Sequence, residues 1–178
     1  MKVVFLDRDG TVVVDPKDET VDSIEKIELF PDTLESLKDL SDNNFSVVVI
    51  TNQTAIGEGR MTEAVFWRIN DEILKRLQPS GVKVLKTYMN GEAPGPDATE
   101  WRKPGPKMLL QAAQDFGLNL SDTYMIGDRE TDVRAAMNAG CKGGVLVETA
   151  TNLKVVSKDA VYSAPNLLDA VKYVIANT

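Results

Sequence analysis

The chain has 178 residues, of which 43% are hydrophobic and 26% are charged, and its formal net charge is −7. This length is that of one ordinary domain (residues 1–178), and the composition excludes both a disordered chain and a membrane-embedded one. The acidic balance argues against a general affinity for nucleic acid or an anionic membrane, although a local basic pocket could still hold a phosphate. A small molecule is therefore the expected partner.

Several chemistries are excluded by what the sequence lacks. It shows no signal-peptide pattern and no apolar run long enough to span a bilayer, so a cytoplasmic location is expected. Cys141 is the single cysteine, which excludes an internal disulfide, and histidine, the commonest general base and metal ligand, is absent. Catalysis would have to depend on carboxylates, lysine, arginine, hydroxyl groups or the backbone.

The first candidate site follows the first predicted strand. Four apolar residues, 3–6, are followed by Asp7, Arg8 and Asp9. Side chains alternate along a strand, so Asp7 and Asp9 are expected on one side and Arg8 on the other. Two neighbouring carboxylates repel each other, so this arrangement indicates a bound divalent cation or a shared proton. The alternative is a buried strand followed by a solvated acidic turn.

Two further residues complete this motif. Gly10 lets the backbone turn sharply and allows a bulky ligand to approach, and Thr11 offers a hydroxyl and an amide to an anion. We therefore expect both to support the site.

The rest of the chain alternates between strand and helix patterns. Further strands are predicted at 47–50, 82–88, 123–126 and 145–147, with a short edge strand at 161–162. Helices are predicted from an Asp32 cap to 43–44, from a Thr62 cap to 77, over 106–116, up to Gly140 and from near Asn166. Leu34, Leu37 and Leu40, and later Val133, Ala136 and Met137, are expected on buried helix faces. Residues 15–26 are predicted as a loop or small hairpin, and 89–104 as a functional loop.

This alternation predicts a three-layer α/β/α Rossmann-like domain with a mainly parallel sheet. Ligands in such folds bind at the carboxyl ends of the strands. Polar motifs fall at four such ends: Asp7 and Asp9, Thr51 and Asn52, Arg102 and Lys103, and Asp128. Taken singly, each has a structural alternative, namely a turn cap, a solvated lysine or an acidic first helical turn. Their joint placement favours one site.

Four motifs in this order resemble the signatures of the haloacid dehalogenase-like phosphohydrolases. They are Phe-Leu-Asp-Arg-Asp-Gly-Thr (5–11), Ile-Thr-Asn-Gln (50–53), Arg-Lys-Pro (102–104) and Ile-Gly-Asp-Arg-Glu-Thr-Asp (126–132). Within that superfamily they are similar to the branch without a cap domain that contains histidinol-phosphate phosphatase and heptose 1,7-bisphosphate phosphatase. No insertion in this chain is long enough to form a cap.

The resemblance implies a role for each matching residue. Asp7 would be the nucleophile, and Asp9 the general acid and then base. Asp7, Asp128 and the backbone carbonyl of Asp9 would hold Mg²⁺. Thr51 and Lys103 would stabilise the transferring phosphoryl group. Arg102 and Asn52 would contact the phosphate or the rest of the substrate. Asp132 would orient Lys103 or a metal-bound water.

One departure concerns zinc. The named relatives usually carry a loop of cysteines and a histidine just before Arg-Lys-Pro, whereas residues 88–101 contain neither. Four zinc ligands cannot be assembled from one cysteine, so no zinc is expected. In this loop Trp101 offers a flat face for a sugar ring, or else it anchors the loop to the core.

The expected function is a Mg²⁺-dependent phosphatase acting on a small phosphorylated metabolite, with a sugar phosphate such as a heptose bisphosphate favoured. Alternatives are histidinol phosphate as substrate, a nucleic-acid 3′-phosphatase, a phosphotransferase and a non-catalytic phosphate-binding module. The acidic charge weighs against the nucleic-acid enzyme, and an open, wet site weighs against transfer. A monomer or weak homodimer that binds no membrane is expected.

Overall fold

The computed structural model describes residues 1–16, 20–149 and 157–178. In this part of the chain strands and helices alternate, and three short 3₁₀ turns lie between them (Ile24–Lys26, Gln78–Ser80 and Leu120–Asp122). The strands are β1 (Lys2–Leu6), β2 (Phe45–Asn52), β3 (Lys83–Asn90), β4 (Tyr124–Gly127), β5 (Gly143–Val147) and β6 (Tyr162–Ala164). The helices are α1 (Thr33–Asp42), α2 (Thr54–Gly57), α3 (Glu63–Leu77), α4 (Lys107–Phe116), α5 (Glu130–Ala139) and α6 (Leu167–Ala176).

The six strands form one parallel sheet in the order β3-β2-β1-β4-β5-β6. β1 therefore lies between β2 and β4, and Leu6 pairs with Val49 on one side and Ile126 on the other. The strand order reverses its direction between β1 and β4, which is where an open parallel sheet leaves a crevice for ligands. This arrangement confirms the predicted Rossmann-like class.

Helices cover both faces of the sheet, because the side chains of each strand alternate between two apolar cores. Val4 and Leu6 of β1 pack with α1, α3 and α6, whereas Val3 and Phe5 pack with α4 and α5. All four side chains are buried. The sheet therefore has a helix layer on each side, and its carboxyl edge is left to the loops.

Some predicted details were wrong. Thr51 and Asn52 are the last two residues of β2 and do not follow it. Leu34 and Met137 are exposed by 37% and 51%, because α1 and α5 pack against the sheet through their other apolar residues. Asp32 precedes α1 but its carboxylate does not cap that helix; it accepts a hydrogen bond from the backbone N–H of Leu168, 2.9 Å away, in the first turn of α6.

The segment after β1 folds back beside the strand. The backbone N–H of Val14 donates to the carbonyl of Glu28 at 2.8 Å, and Val13 forms an antiparallel bridge with Leu29. This agrees with the predicted loop or hairpin, of which residues 17–19 lie outside the described part. None of the described helices is long and apolar enough to cross a membrane.

Candidate active site

The floor of the candidate site begins where β1 ends. The backbone N–H of Asp7 donates to the carbonyl of Ile126 on β4 at 2.9 Å, which places Asp7 at the switch point of the sheet. Gly10 has φ +82°, and a Cβ added there would lie 2.4 Å from Oδ2 of Asp128. Gly10 is therefore required both by its backbone conformation and by the close approach of the Asp128 carboxylate.

Lys103 joins the floor residues to one another. Its Nζ lies 2.7 Å from Oδ1 of Asp7, 2.5 Å from Oδ1 of Asp132 and 2.8 Å from the carbonyl of Ile50. The lysine side chain is only 3% exposed. Because Asp7 follows β1, Ile50 lies in β2 and Asp132 lies in α5, this single ammonium group connects three elements that are far apart in sequence. It lies between two carboxylates that would otherwise repel each other and offsets part of their charge.

Burial changes the acid–base properties of the floor. Desolvation raises the pKa of Asp7, and Asp132 and Asp128 raise it further against the lowering effect of Lys103. Desolvation and the neighbouring Asp132 raise the pKa of Asp128 to about 7. Burial lowers the pKa of Lys103, but Asp132 and Asp7 outweigh it and the net shift is upward. The lysine stays charged, and the carboxylates need more positive charge to be fully ionised.

The donor set of the floor fits a hard divalent cation. Asp7, Asp128 and Asp132 are all buried and each offers a carboxylate oxygen within 4.8 Å of the others. Oxygen ligands of this kind suit Mg²⁺, which binds through one or two carboxylates and retains several waters. Two of these carboxylates, Asp7 and Asp128, belong to the predicted metal set, whereas Asp132 was expected in a supporting role.

Asp9 is held by neighbours that the sequence did not reveal. Both of its oxygens accept hydrogen bonds from Arg8, from Nε at 3.0 Å and from a terminal nitrogen at 2.9 Å. Gln53 Nε2 donates to the same carboxylate at 2.6 Å and to Thr51 Oγ1 at 2.8 Å. The expectation that Arg8 points away from Asp9 was therefore wrong. β1 ends at Leu6, and Arg8 lies in a turn whose side-chain directions do not follow strand alternation.

Asn52 forms hydrogen bonds with the backbone of Lys103. Its Nδ2 donates to the carbonyl of Lys103, and its Oδ1 accepts from the Lys103 backbone N–H, both at 3.0 Å. This pair of bonds fixes the loop that carries the lysine. Thr51 is 1% exposed and borders the same cavity. The two residues of the second motif thus place Lys103 and close the floor.

The floor lies at the bottom of a cavity of about 390 Å³. Arg102 borders it and donates to the carbonyl of Glu92 at 2.6 Å and to Thr54 Oγ1 at 3.0 Å, both neutral acceptors. Desolvation lowers the pKa of Arg102. Two more arginines, Arg60 and Arg129, complete the positive part of the rim. Arg60 is paired with Glu58 and Arg129 with Asp15.

Four predicted site residues do not line this cavity. Gly10 and Asp128 are buried beneath it, and Trp101 and Thr11 lie elsewhere. Trp101 is 39% exposed and lies outside the lining, to which its loop contributes Pro94. Thr11 is buried and faces a separate groove near the start of α6. The loop before Arg102 is held by Glu92, whose carboxylate accepts from the N–H of Thr99 at 2.9 Å and from its hydroxyl at 2.7 Å.

Comparison with known proteins agrees with this geometry. Residues 100–170 match the model of the family described as "HAD-hyrolase-like". The D-glycero-beta-D-manno-heptose-1,7-bisphosphate 7-phosphatase of Haemophilus ducreyi is 31% identical, over 97% of this chain and 98% of its own. That of Yersinia pestis is 33% identical over 82% and 80%. The chain belongs to the haloacid dehalogenase-like hydrolases.

Two further similarities are to a bifunctional protein and to a solved structure. The bifunctional histidine biosynthesis protein HisB of Bacteroides fragilis is 36% identical over 86% of this chain, which spans only 41% of that protein's length. The crystal structure of the heptose 1,7-bisphosphate phosphatase of B. bronchiseptica, complexed with magnesium and phosphate, superposes with a TM-score of 0.88 at 27% identity over the whole of both chains. The expected family and class of enzyme, a phosphatase, are confirmed.

Proposed function

We propose that this protein is a Mg²⁺-dependent phosphomonoesterase that acts through a phosphorylated Asp7. The observation that carries the proposal is the floor of the cavity, where Lys103 Nζ lies 2.7 Å from Asp7 and three buried carboxylates lie within 4.8 Å of one another. A nucleophile, a fixed positive charge and a cation-binding donor set are thus concentrated at one point, as displacement at phosphorus requires.

The chain's own residues account for both halves of the reaction. A carboxylate oxygen of Asp7 forms a bond to phosphorus while the bond from phosphorus to the leaving oxygen breaks, and Asp9 gives that oxygen a proton. Asp9 then takes a proton from water, whose oxygen bonds to phosphorus as the Asp7–phosphorus bond breaks. Lys103 and Thr51 stabilise the negative charge of the phosphoryl oxygens during both steps.

Asp7 and Asp128 would hold the cation together with the backbone carbonyl of Asp9. Bound there, Mg²⁺ supplies positive charge that keeps the buried carboxylates ionised and orients the phosphoryl group. Asp132 is already engaged by Lys103 and by the backbone N–H of Arg129 at 3.0 Å, so we assign it to positioning the lysine.

The rim favours a sugar carrying a second phosphate, such as a heptose bisphosphate. Among the described residues, Arg102 donates hydrogen bonds to two neutral acceptors and forms no ion pair, so its charge remains available for an anion. Among the described residues of the rim, Arg60 and Arg129 add positive charge, and the carboxylates Asp15 and Glu58 offset only part of it. The similarity to heptose bisphosphate phosphatases over nearly the whole chain supports the same substrate class.

Histidinol phosphate is the second candidate, favoured by the 36% identity to HisB. Its leaving group carries an amine that is protonated at neutral pH, which the rim arginines would repel. The acidic balance of the chain weighs against a nucleic-acid substrate, as it did from sequence alone. The absence of zinc, a cytoplasmic location and a monomer or weak homodimer stay predictions.

The test is a comparison of kcat/KM values with Mg²⁺ for heptose 1,7-bisphosphate, a hexose monophosphate, histidinol phosphate and p-nitrophenyl phosphate. We expect the bisphosphate to exceed the monophosphate at least about tenfold, because one additional charge-assisted contact contributes about 1.5 kcal/mol. A higher value for histidinol phosphate would contradict the sugar assignment. No turnover of any substrate would contradict the phosphatase itself.

A further inference from the structure

Arg8 is a buried charged residue to which the proposed reaction assigns no role. Its side chain is 2% exposed, and the small cavity beside it is lined, apart from Asn70, by apolar side chains. One terminal nitrogen of the guanidinium has no hydrogen-bond partner among the described residues. Burying a cation with an unsatisfied donor is costly, so stability alone does not explain an arginine here.

The contacts of Arg8 lead in two directions. Towards the cavity, the guanidinium forms a two-point contact with both oxygens of Asp9, at 3.0 and 2.9 Å. Towards the core, it lies over the ring of Phe66, 4.7 Å from the ring centroid. Phe66 is completely buried in α3, where it also meets Trp67 edge to face at 4.9 Å between centroids. The guanidinium is therefore fixed by a rigid aromatic support.

Asp9 has a further contact that restricts its orientation. Gln53 Nε2 donates to Oδ2 of Asp9, the oxygen that also accepts from a terminal nitrogen of Arg8. A planar guanidinium that contacts both oxygens of a carboxylate fixes the plane of that carboxylate, which an ammonium group cannot do. Arg8 thus determines the direction in which Asp9 presents its oxygens to the cavity.

We infer that Arg8, supported by Phe66, is a positioning residue that holds Asp9 in the orientation needed to take a proton from water when phospho-Asp7 is hydrolysed. This inference rests on the proposed function, in which Asp9 serves as that base. In the step concerned, the water oxygen bonds to phosphorus, the bond from phosphorus to Asp7 breaks and the proton moves to Asp9. Arg8 does not line the cavity and acts only through Asp9.

The test separates the two halves of the reaction with p-nitrophenyl phosphate. Its leaving group departs without a proton, so first-turnover release of nitrophenolate reports attack by Asp7, and release of phosphate reports hydrolysis. In Arg8→Met and Arg8→Lys we expect nitrophenolate release within about threefold of the wild type, whereas phosphate release slows about 10- to 100-fold and phosphoprotein accumulates. This loss is a part of the roughly 10²- to 10⁴-fold rate enhancement that general acid–base catalysis supplies.

Two further variants keep the test decisive. Phe66→Leu retains Arg8 but removes its aromatic support, so it should show the same selective slowing to a smaller extent, even if Arg8→Met does not fold. Arg76→Met is the control, because Arg76 is also an arginine paired with a carboxylate, Glu72 on α3, but lies outside the cavity lining. It should leave both steps unchanged.

The inference would be overturned if Arg8→Lys and Phe66→Leu slowed both steps equally, or if neither step changed. If the wild type still formed phosphoprotein, either result would overturn this inference alone and leave the proposed function intact. A wild type that turns over p-nitrophenyl phosphate without ever forming phosphoprotein would refute the covalent mechanism and this inference together.

Discussion

The floor and the rim of the cavity are built differently. The floor residues Asp7, Lys103, Asp128 and Asp132 are at most 6% exposed. Asp7 and Asp128 follow β1 and β4, and Asp132 lies in the first turn of α5. Lys103 lies in the loop before α4, and Asn52 on β2 fixes its backbone. The rim arginine Arg129 is about half exposed and is held by loop contacts. A network buried in the core is fixed by the fold itself, whereas a rim on loops can vary without affecting the core. In the proposed function, the floor therefore determines the chemistry and the rim determines the substrate.

The largest effect should follow from replacing the nucleophile. We expect Asp7→Asn to lower kcat at least about a thousandfold, because the amide keeps the volume but cannot form the phosphoenzyme. Lys103 retains its contact with Asp132, so the melting temperature should stay within a few degrees. Asp115→Asn, which removes an exposed carboxylate outside the cavity, is the matched control and should leave kcat unchanged. Substantial turnover by Asp7→Asn would show that the floor is not the reacting centre.

Lys103→Met should affect both activity and stability. It removes the cation from between Asp7 and Asp132 and leaves these carboxylates buried without their shared partner. Breaking a buried ion pair in this way costs about 3–5 kcal/mol, and kcat should fall at least about a hundredfold. Urea unfolding and steady-state kinetics measure the two losses. If activity fell while the free energy of unfolding did not change, Lys103 would act on the substrate, as the rim residues do, without stabilising the buried carboxylates.

The pH dependence of stability should reveal the buried carboxylates. The folded-state pKa of Asp128 is about 7, against an ordinary value of 3.8. The folded protein then binds more protons than the unfolded chain, so the contribution of Asp128 to stability falls as the pH rises from about 4 to 7. Mg²⁺ bound as proposed would offset this loss, because it binds the ionised form. Its stabilising effect in thermal melts should therefore be larger at pH 7.5 than at pH 5.5.

Asp128→Asn provides the control for this experiment. It should reduce the Mg²⁺-induced increase in melting temperature at pH 7.5 and flatten the pH dependence of the metal-free protein. An equal Mg²⁺ effect at both pH values, or an unchanged effect in Asp128→Asn, would place the cation elsewhere.

A rim change should affect binding rather than folding. In Arg102→Ala we expect KM for phosphomonoesters to rise about tenfold, because a charge-assisted hydrogen bond contributes about 1.5–3 kcal/mol. The melting temperature should change little, since within the described part of the chain Arg102 donates hydrogen bonds to just the Glu92 carbonyl and the Thr54 hydroxyl. A large loss of stability without a change in KM would make Arg102 a structural residue of its loop.

The smallest effect is expected from Trp101→Ala. Trp101 lies outside the cavity lining, so kcat/KM should fall less than about threefold, equally for the preferred metabolite and for p-nitrophenyl phosphate. A selective loss on the metabolite would show that the loop moves onto the substrate and that Trp101 then packs on the sugar. That outcome would add Trp101 to the rim residues that contact the substrate.

The convergence of Asp7, Thr51, Lys103 and Asp128 could be predicted because each lies at or just after the carboxyl end of a strand or before a helix, and parallel strands share one carboxyl edge. The Arg8–Asp9 pair could not be predicted, because strand alternation stops at Leu6. The bonding of Asn52 to the Lys103 backbone was also hidden, since these residues are 51 positions apart.

Helix periodicity alone also could not predict which apolar side chains are buried. The spacing of Leu34 and Met137 with their apolar neighbours is correct for an amphipathic helix. Which residues at the edge of an apolar stripe become buried depends on the elements packed beside it, and these cannot be read from local spacing. Both side chains are consequently exposed in the folded protein.

Covalent phosphorylation of Asp7 is the central claim, and trapping the intermediate tests it most directly. The protein is mixed with p-nitrophenyl phosphate and Mg²⁺, quenched during turnover and reduced with borohydride, which converts an aspartyl phosphate to homoserine. Tandem mass spectrometry should then find homoserine at position 7 in the wild type and none there in Asp7→Asn. Homoserine at another aspartate, or none in an enzyme that is turning over, would contradict the account.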